Sequence, residues 1–377
     1  MTPPLGIYLH VPYCAAICDY CDFTKYVAGD RSGWAASAAA ELAIARRQLG
    51  AAARPVDTVF FGGGTPTLLP ARDLGLVLRV IRDELGLRPG AEVSVEANPE
   101  DLSEATLDGL LEAGVTRLSI GMQSAVPHVL RALGRTHAPS RPVEAARAAR
   151  AAGFAHVSLD LIYGAPEESA DDWRASLEAA LSAEPDHVSA YGLTVAPGTR
   201  LHARIRHGAS PAPAEDALAD RYLLAEELLG AAGLAWYEVS NWARTPADRC
   251  VHNVHYWRGG EWWGIGPGAH SAVGGRRWWN VKHPARWARM VASGAVPEDG
   301  GEELDAPQRA LERLMLEVRT REGVPVGAGA PAAGADGAAA RELARDGLLD
   351  LDGAAGRAVL TLRGRLLADL VTRRLAA

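Results

Sequence analysis

The stretch Gly6-Ile7-Tyr8-Leu9-His10-Val11-Pro12-Tyr13-Cys14-Ala15-Ala16-Ile17-Cys18-Asp19-Tyr20-Cys21 decides how the chain is read. Its start is apolar and β-rich, which predicts a strand over Gly6–Val11. Tyr8 and His10 alternate along that strand and share one face. Three cysteines follow at C-x3-C-x2-C spacing. Three thiolates on one short loop can converge on one inorganic centre, and iron–sulfur cubes take thiolate ligands, normally four. Three would leave one iron open to a non-protein ligand. The alternatives are three inert thiols, or zinc with His10 or Cys250 as a fourth ligand, although zinc sites usually show paired C-x2-C units. The remaining cysteine is Cys250. A disulfide framework would use an even, dispersed set instead.

Outward from this loop, short β-rich runs alternate with longer helical patterns. Strands are predicted at Val56–Phe61, Glu92–Ala97, Arg117–Ile120, His156–Leu161 and His187–Leu193. Helices are predicted at Gly33–Leu49, Asp73–Leu85, Ser103–Ala113, Arg141–Ala152 and Ala170–Ala183, with Ser103 as a cap and Gly114 and Gly153 as stops. Such alternation implies parallel strands with right-handed crossovers. Six units between Gly6 and Leu193 predict an α/β fold, an incomplete (β/α)6 barrel. A doubly wound open sheet is the rival, and in either case strand-end loops would carry the site.

Further on, Leu218–Ala232 reads as a helix and Trp236–Val239 as a strand. Eight of the ten tryptophans fall between Trp236 and Trp287, with His252, His255, His270 and His283 among them. Gln308–Arg319 reads as a helix, Val324–Gly337 as a Gly/Ala/Pro loop, Arg341–Leu349 and Arg357–Leu362 as helix and strand, and Arg363–Leu375 as a closing helix. The expected organisation is a partial barrel over residues 1–240, a Trp/His-rich segment over 241–301 and a small C-terminal domain over 302–377.

The 377 residues are 48% hydrophobic and 23% charged, enough to bury a large core and a smaller one. A net charge of −7 argues against wrapping nucleic acid, since no basic excess would displace phosphate counterions. The 39 basic residues comprise two lysines, Lys25 and Lys282, and 37 arginines, a bias read as genomic. No run approaches about 18 uninterrupted apolar residues, so no membrane span is expected. The start, Met1-Thr2-Pro3-Pro4, lacks the regions of a signal peptide, and the expected location is the cytoplasm.

C-x3-C-x2-C with Tyr20 before the last cysteine resembles the signature of radical S-adenosylmethionine enzymes. That resemblance implies a [4Fe-4S] cluster on Cys14, Cys18 and Cys21, and S-adenosylmethionine chelating the open iron. In such enzymes the cluster reduces the sulfonium and a 5′-deoxyadenosyl radical results. Four further motifs resemble the branch of oxygen-independent coproporphyrinogen III oxidases. They are Tyr8-Leu9-His10-Val11-Pro12, Phe61-Gly62-Gly63-Gly64-Thr65-Pro66-Thr67, Ser119-Ile120-Gly121-Met122-Gln123-Ser124 and Asp160-Leu161-Ile162-Tyr163-Gly164-Ala165-Pro166. On this likeness Tyr8, Tyr20, Gly63, Gly64, Thr65 and Glu96 are expected around S-adenosylmethionine. Gln123, Arg135 and Asp160 match positions associated with a second molecule of it. Glycines at 62–64 also suit a close backbone approach to a ligand, or simply a tight turn.

Two departures refine the resemblance. The oxidases continue C-x3-C-x2-C-x-C, whereas Cys21 here is followed by Asp22-Phe23. In addition, His252-Asn253-Val254-His255-Tyr256-Trp257, within Tyr237-Glu238 to His270, resembles the HemW family of haem-binding relatives. That likeness implies a haem chaperone serving apo-haemoproteins of respiration. His252 would be the haem ligand and Tyr256 and Trp257 the pocket walls, since imidazole ligates haem iron and aromatic rings line porphyrin faces. His255, His270 and Cys250 are weaker candidates. The likeness also implies a winged-helix-like, helical C-terminal domain, and it leaves homodimerisation and peripheral contact with membrane proteins open. The alternative is a coproporphyrinogen III oxidase converting two propionates to vinyl groups.

Overall fold

The structure, a computed structural model, describes residues 3–27, 30–326, 337–352 and 356–376. Leu5, Ile7, Leu9 and Val11 are fully buried along one face of β1 (Leu5–Val11). Two short strands, β2 (Tyr13–Cys14) and β3 (Tyr26–Val27), pair in parallel and bracket the cysteine loop. The period of two recurs on β4 (Val56–Gly63), β5 (Leu87–Ala97), β6 (Arg117–Gln123), β7 (His156–Tyr163) and β8 (His187–Gly192). On each, one face is apolar and buried, as with Val93 and Val95, Leu118 and Ile120, or Val157 and Leu159. The other face carries polar side chains such as Glu92, Ser94 and Glu96.

Crossovers are made by α1 (Trp34–Leu49), α2 (Ala71–Glu84), α3 (Glu104–Ala113), α4 (Pro127–Ala132) with α5 (Arg141–Ala152), and α6 (Ala170–Leu181). In α2, Leu74, Val77, Leu78 and Ile81 form the buried stripe that covers the sheet. Ser103 caps α3 by accepting from the Thr106 N–H at 3.2 Å. Gly114 and Gly153 end α3 and α5 in the left-handed region, at φ 95° and 104°. Further helices α7 (Arg200–Arg206) and α8 (Glu215–Ala231) lead to β9 (Ala235–Glu238) and β10 (Asn241–Ala243).

The Trp/His-rich segment forms α9 (Val251–Trp257), β11 (Glu261–Ile265), β12 (His270–Val273), β13 (Arg276–Asn280), α10 (Pro284–Ala292) and β14 (Glu298–Glu303). Its strands extend the same sheet, and position 241 is the first residue of β10, separated by two residues from the end of β9. Among the described residues twelve strands run β14-β13-β12-β11-β1-β4-β5-β6-β7-β8-β10-β9. The seven from β11 to β8 are parallel, and both margins are antiparallel. β14 and β9 are not joined, so the barrel is incomplete.

The C-terminal unit has its own core, including Leu314, Leu343, Leu360 and Val371. It contains α11 (Ala306–Glu317), β15 (Val324–Pro325), α12 (Gly337–Arg345), β16 (Leu349–Asp352), β17 (Arg357–Leu360), α13 (Leu362–Leu366) and α14 (Ala368–Ala376). Helices around a three-stranded antiparallel sheet give a winged-helix-like arrangement. Two expectations are corrected here. Leu349 begins a strand rather than ending a helix, because Gly347 turns the chain at φ 72°. The closing helix is broken at Leu367, where φ −117° and ψ 27° leave the helical region. The expected loop lies, over 327–336, outside the described residues. No helix among the described residues is long and apolar enough to cross a membrane.

The short helix α9 is fastened under the barrel at both ends. The buried Arg117 Nε donates to the buried Glu92 carboxylate at 2.8 Å. Glu92 also accepts the N–H groups of Val251 and His252, each at 3.0 Å. Arg117 Nη2 donates to the carbonyls of Asp248 and Arg249 at 2.7 and 3.0 Å. At the other end the Trp257 indole approaches the buried Glu238 carboxyl, to which Asn241 also donates.

Removing one partner of a buried ion pair strands the other. Arg117→Met should therefore cost roughly 3–5 kcal/mol, read from urea unfolding; a loss below about 1 kcal/mol would show that the pair does not hold α9. Burial raises Glu238 from a usual 4.5 to about 8, against the pull of Asn241 and Trp257. Its proton is thus held more tightly in the folded chain. Stability relative to Glu238→Gln should be full at or below pH 4.5, fall between pH 4.5 and about 8, and level off above. Thermal melts of both proteins across that range check it; parallel curves would refute it.

Candidate functional site

The inward faces of the strands enclose a cavity of about 580 Å³. Glycine shapes its upper rim. A side chain at Gly64 would meet the Tyr13 carbonyl at 2.6 Å, and Gly63 has φ 105° with the His10 ring 2.4 Å from any added carbon. The Gly64 and Thr65 N–H groups donate to the carbonyls of Val11 and Tyr13, both at 2.7 Å. The glycine turn thereby carries the chain entering the cysteine loop.

Cys14, Cys18 and Cys21 are free, half-buried and line this cavity together. Burial raises the thiols of Cys14 and Cys21; Thr65 opposes it at Cys14, and the Phe23 backbone and Lys25 oppose it at Cys21. Arg135 Nη1 lies 3.6 Å from Cys18 Sγ. Around the loop, Asp19 accepts from Arg204 at 2.7 Å, and its N–H donates to the Leu133 carbonyl at 3.1 Å. Among the described residues no three His, Cys, Asp or Glu are placed to hold a single metal ion. Neither expected fourth zinc ligand joins the triplet. His10 bonds the Tyr8 hydroxyl at 3.0 Å and the Thr24 carbonyl at 2.7 Å. The Cys250 thiol sits 3.5 Å from Glu92, in the middle of β5, away from the cysteine loop. Three thiols sharing one cavity mouth, each with a polar donor beside it, are a donor set that fits an iron–sulfur cube with an open side.

Below the rim, Glu96 accepts from the Gly63 N–H at 3.1 Å. Burial, then the nearby Asp160, raises it to about 7. Asp160 is also raised by burial, against hydrogen bonds from Ser119, Ser189 and Ser158 at 2.7, 2.7 and 3.4 Å. Gln123 adopts φ 63° beside a register shift between β6 and β7. At the floor, His252 is fully buried. Its Nδ1 bonds the Thr58 hydroxyl at 2.8 Å and its Nε2 the Tyr256 hydroxyl at 2.7 Å. Burial lowers it to about 3, so the ring is neutral at ordinary pH.

The cavity gathers Tyr8, Tyr20, Gly63, Gly64, Thr65 and Glu96 with Gln123, Arg135 and Asp160, the three cysteines, His252 and Tyr256. Trp257 does not line it, because its indole faces Glu238, and neither do the weaker candidates His255, which bonds the Glu261 carbonyl, and His270. The structure adds Asn98, Arg117, Ser119, Ser189 and Tyr191, which sequence reasoning did not single out. Their signal was present: each continues the inward alternation of its strand, polar where a purely structural strand would be apolar.

Residues 8–180 match the family model described as Radical SAM superfamily. The chain is 49% identical over 377 residues to heme chaperone HemW of Mycobacterium tuberculosis, covering 99% of this chain and 95% of that protein. Heme chaperone HemW of Escherichia coli is 35% identical over 333 residues, 86% of this chain and 84% of that one. Among solved structures, coproporphyrinogen III oxidase HemN from E. coli, described as a radical SAM enzyme, gives a TM-score of 0.81 at 23% identity. That match covers 100% of this chain and 90% of the other, and it speaks for the fold alone. The chain therefore belongs to the HemW family of the radical SAM superfamily.

Proposed function

We propose that this chain is a haem chaperone that binds haem and transfers it to apo-haemoproteins. In this reading it carries a [4Fe-4S] cluster and binds S-adenosylmethionine. The observation that carries the proposal is likeness along the whole length to proteins named heme chaperone HemW. The polarity of the cavity supports the cofactor half. Cys14, Cys18 and Cys21 would hold the cluster, which when bound supplies an electron to a sulfonium. The rim residues Gly63, Gly64 and Thr65 would meet the methionine part, with Tyr8 and Tyr20 beside it. Glu96 would accept from ribose hydroxyls. Gln123, Arg135 and Asp160 would meet a second molecule if one binds. The recipients would be respiratory haemoproteins and the setting the cytoplasm.

The haem half rests on α9. A neutral His252 needs no deprotonation before it ligates iron. Thr58 on Nδ1 would orient the ring, as outer partners of ligating histidines do. The Tyr256 hydroxyl holds Nε2, so it would have to give way. Trp257 supports α9 from behind rather than forming a wall.

Anaerobic haem titration of cluster-reconstituted protein, followed at the Soret band, tests this reading. Wild type should saturate stoichiometrically. His252→Ala should bind at least about tenfold more weakly, ~1.4 kcal/mol. Equal affinity would remove His252 as ligand. No specific haem binding by wild type would end the chaperone reading, and turnover of coproporphyrinogen III would then install the oxidase in its place. Replacing Cys14, Cys18 or Cys21 by Ser should abolish the dithionite-bleachable charge-transfer shoulder; a variant retaining four irons would sink the cluster assignment.

A further inference from the structure

Each thiol of the triplet is met by a polar side chain outside the Cys14–Cys21 stretch. The Thr65 hydroxyl meets Cys14, Arg135 meets Cys18 and Lys25 meets Cys21. Two of these contacts are joined into one arc. Arg135 Nη1 points at Cys18 Sγ, 3.6 Å away, while Nη2 donates to Asn98 Oδ1 at 2.8 Å and to the Gly121 carbonyl at 3.2 Å. Asn98 Nδ2 then donates to Thr65 Oγ1 at 3.1 Å. The path Cys18–Arg135–Asn98–Thr65–Cys14 thus closes outside the loop.

The backbone fixes the arginine in place. Gly134 turns with φ 73°, and the Arg135 N–H donates back to the Leu130 carbonyl at 2.8 Å. Among the described residues Arg135 forms an ion pair with no carboxylate, and its buried Nε has no partner. Its charge acts first on the Cys18 thiol it faces, then on Tyr20 and, at longer range, on Glu100. A guanidinium presents a rigid fork, so one group holds a sulfur and an amide in a fixed relative geometry, whereas a lysine ammonium is a compact point charge on a flexible stem.

We propose that Arg135 is a positioning residue for the cluster, resting on the cluster assignment made above. By donating to Cys18 it stabilises the more negative, reduced state and raises the reduction potential. Through Asn98 and Thr65 it also keeps Cys14 and Cys18 at a fixed separation, which retains the cluster. This role differs from contact with a bound small molecule, because it operates when none is present.

The test uses the full chain, reconstituted anaerobically without S-adenosylmethionine, as wild type, Arg135→Met, Arg135→Lys and Asn98→Ala. Iron and sulfide content, the midpoint potential of the one-electron couple and the rate of cluster loss to a chelator are measured. Arg135→Met should show a more negative midpoint and lose its cluster roughly tenfold faster, the low end of the 10–100-fold effects of outer partners. Arg135→Lys should lie between it and wild type. Asn98→Ala should lose its cluster faster with little change of potential, since the charge remains. If Arg135→Met holds no cluster at all, the lysine and Asn98 variants decide by the same ordering. Wild-type midpoint and loss rate throughout the variants would overturn the proposal while leaving the cluster reading intact. A wild type that takes up no iron would overturn both.

Discussion

A parallel sheet covered by helices on one side has to satisfy two demands with one chain. The outer face must be apolar to bury α1 to α6, and alternation then hands every second residue to the inside. Closing the sheet would force those inward residues to pack one another. Here β14 and β9 stay apart. The inward positions can therefore remain polar, and Glu96, Ser119, Asp160 and Ser189 surround a cavity rather than a core. The price is a set of buried polar groups needing local partners, which the serines supply to Asp160.

The Trp/His-rich segment completes this arrangement. Glu41 on α1 is fully buried and accepts from the Gly266 N–H, Asn280 Nδ2 and Trp287 Nε1 at 2.8, 2.6 and 2.7 Å. One carboxylate thus ties three points of the segment to the barrel. Gly266 presses so closely on the His10 carbonyl that an added carbon would sit 2.4 Å from it. Gly268 similarly leaves no room beside Thr24, whose carbonyl holds His10. The segment therefore braces the end of β1 and the chain returning from the cysteine loop, while its α9 supplies the cavity floor.

What was legible in the sequence was what depends on neighbours in the chain. The βα alternation, the cap at Ser103, the stops at Gly114 and Gly153 and the tight thiol triplet all follow from spacing over a few residues. The strands of residues 241–301 were not legible, because they are short, and tryptophan pairs such as Trp263 on Trp278 pack only once β11 and β13 have formed. The Glu92–Arg117 pair and its grip on α9 join residues up to 160 positions apart, and no local pattern announces them. Trp257 shows the same limit from the other side. Its motif placed it beside His252, but one helical step turned it to Glu238.

The two ends of the cavity differ in kind, and that difference follows from solvent and charge. At the mouth the thiols are half-buried; burial raises those of Cys14 and Cys21, Lys25 opposes that rise, and Arg135 faces Cys18. At the floor His252 and Tyr256 are neutral and bonded to each other. Between them burial raises both carboxyls, Glu96 to about 7 with Asp160 adding to the rise, while Ser119, Ser189 and Ser158 hold Asp160 down. Glu96 links this middle layer directly to the rim through Gly63, and Asp160 reaches across it through Ser119 and Ser189. The carboxyl layer therefore touches both the glycine rim and the inward serines of β6, β7 and β8.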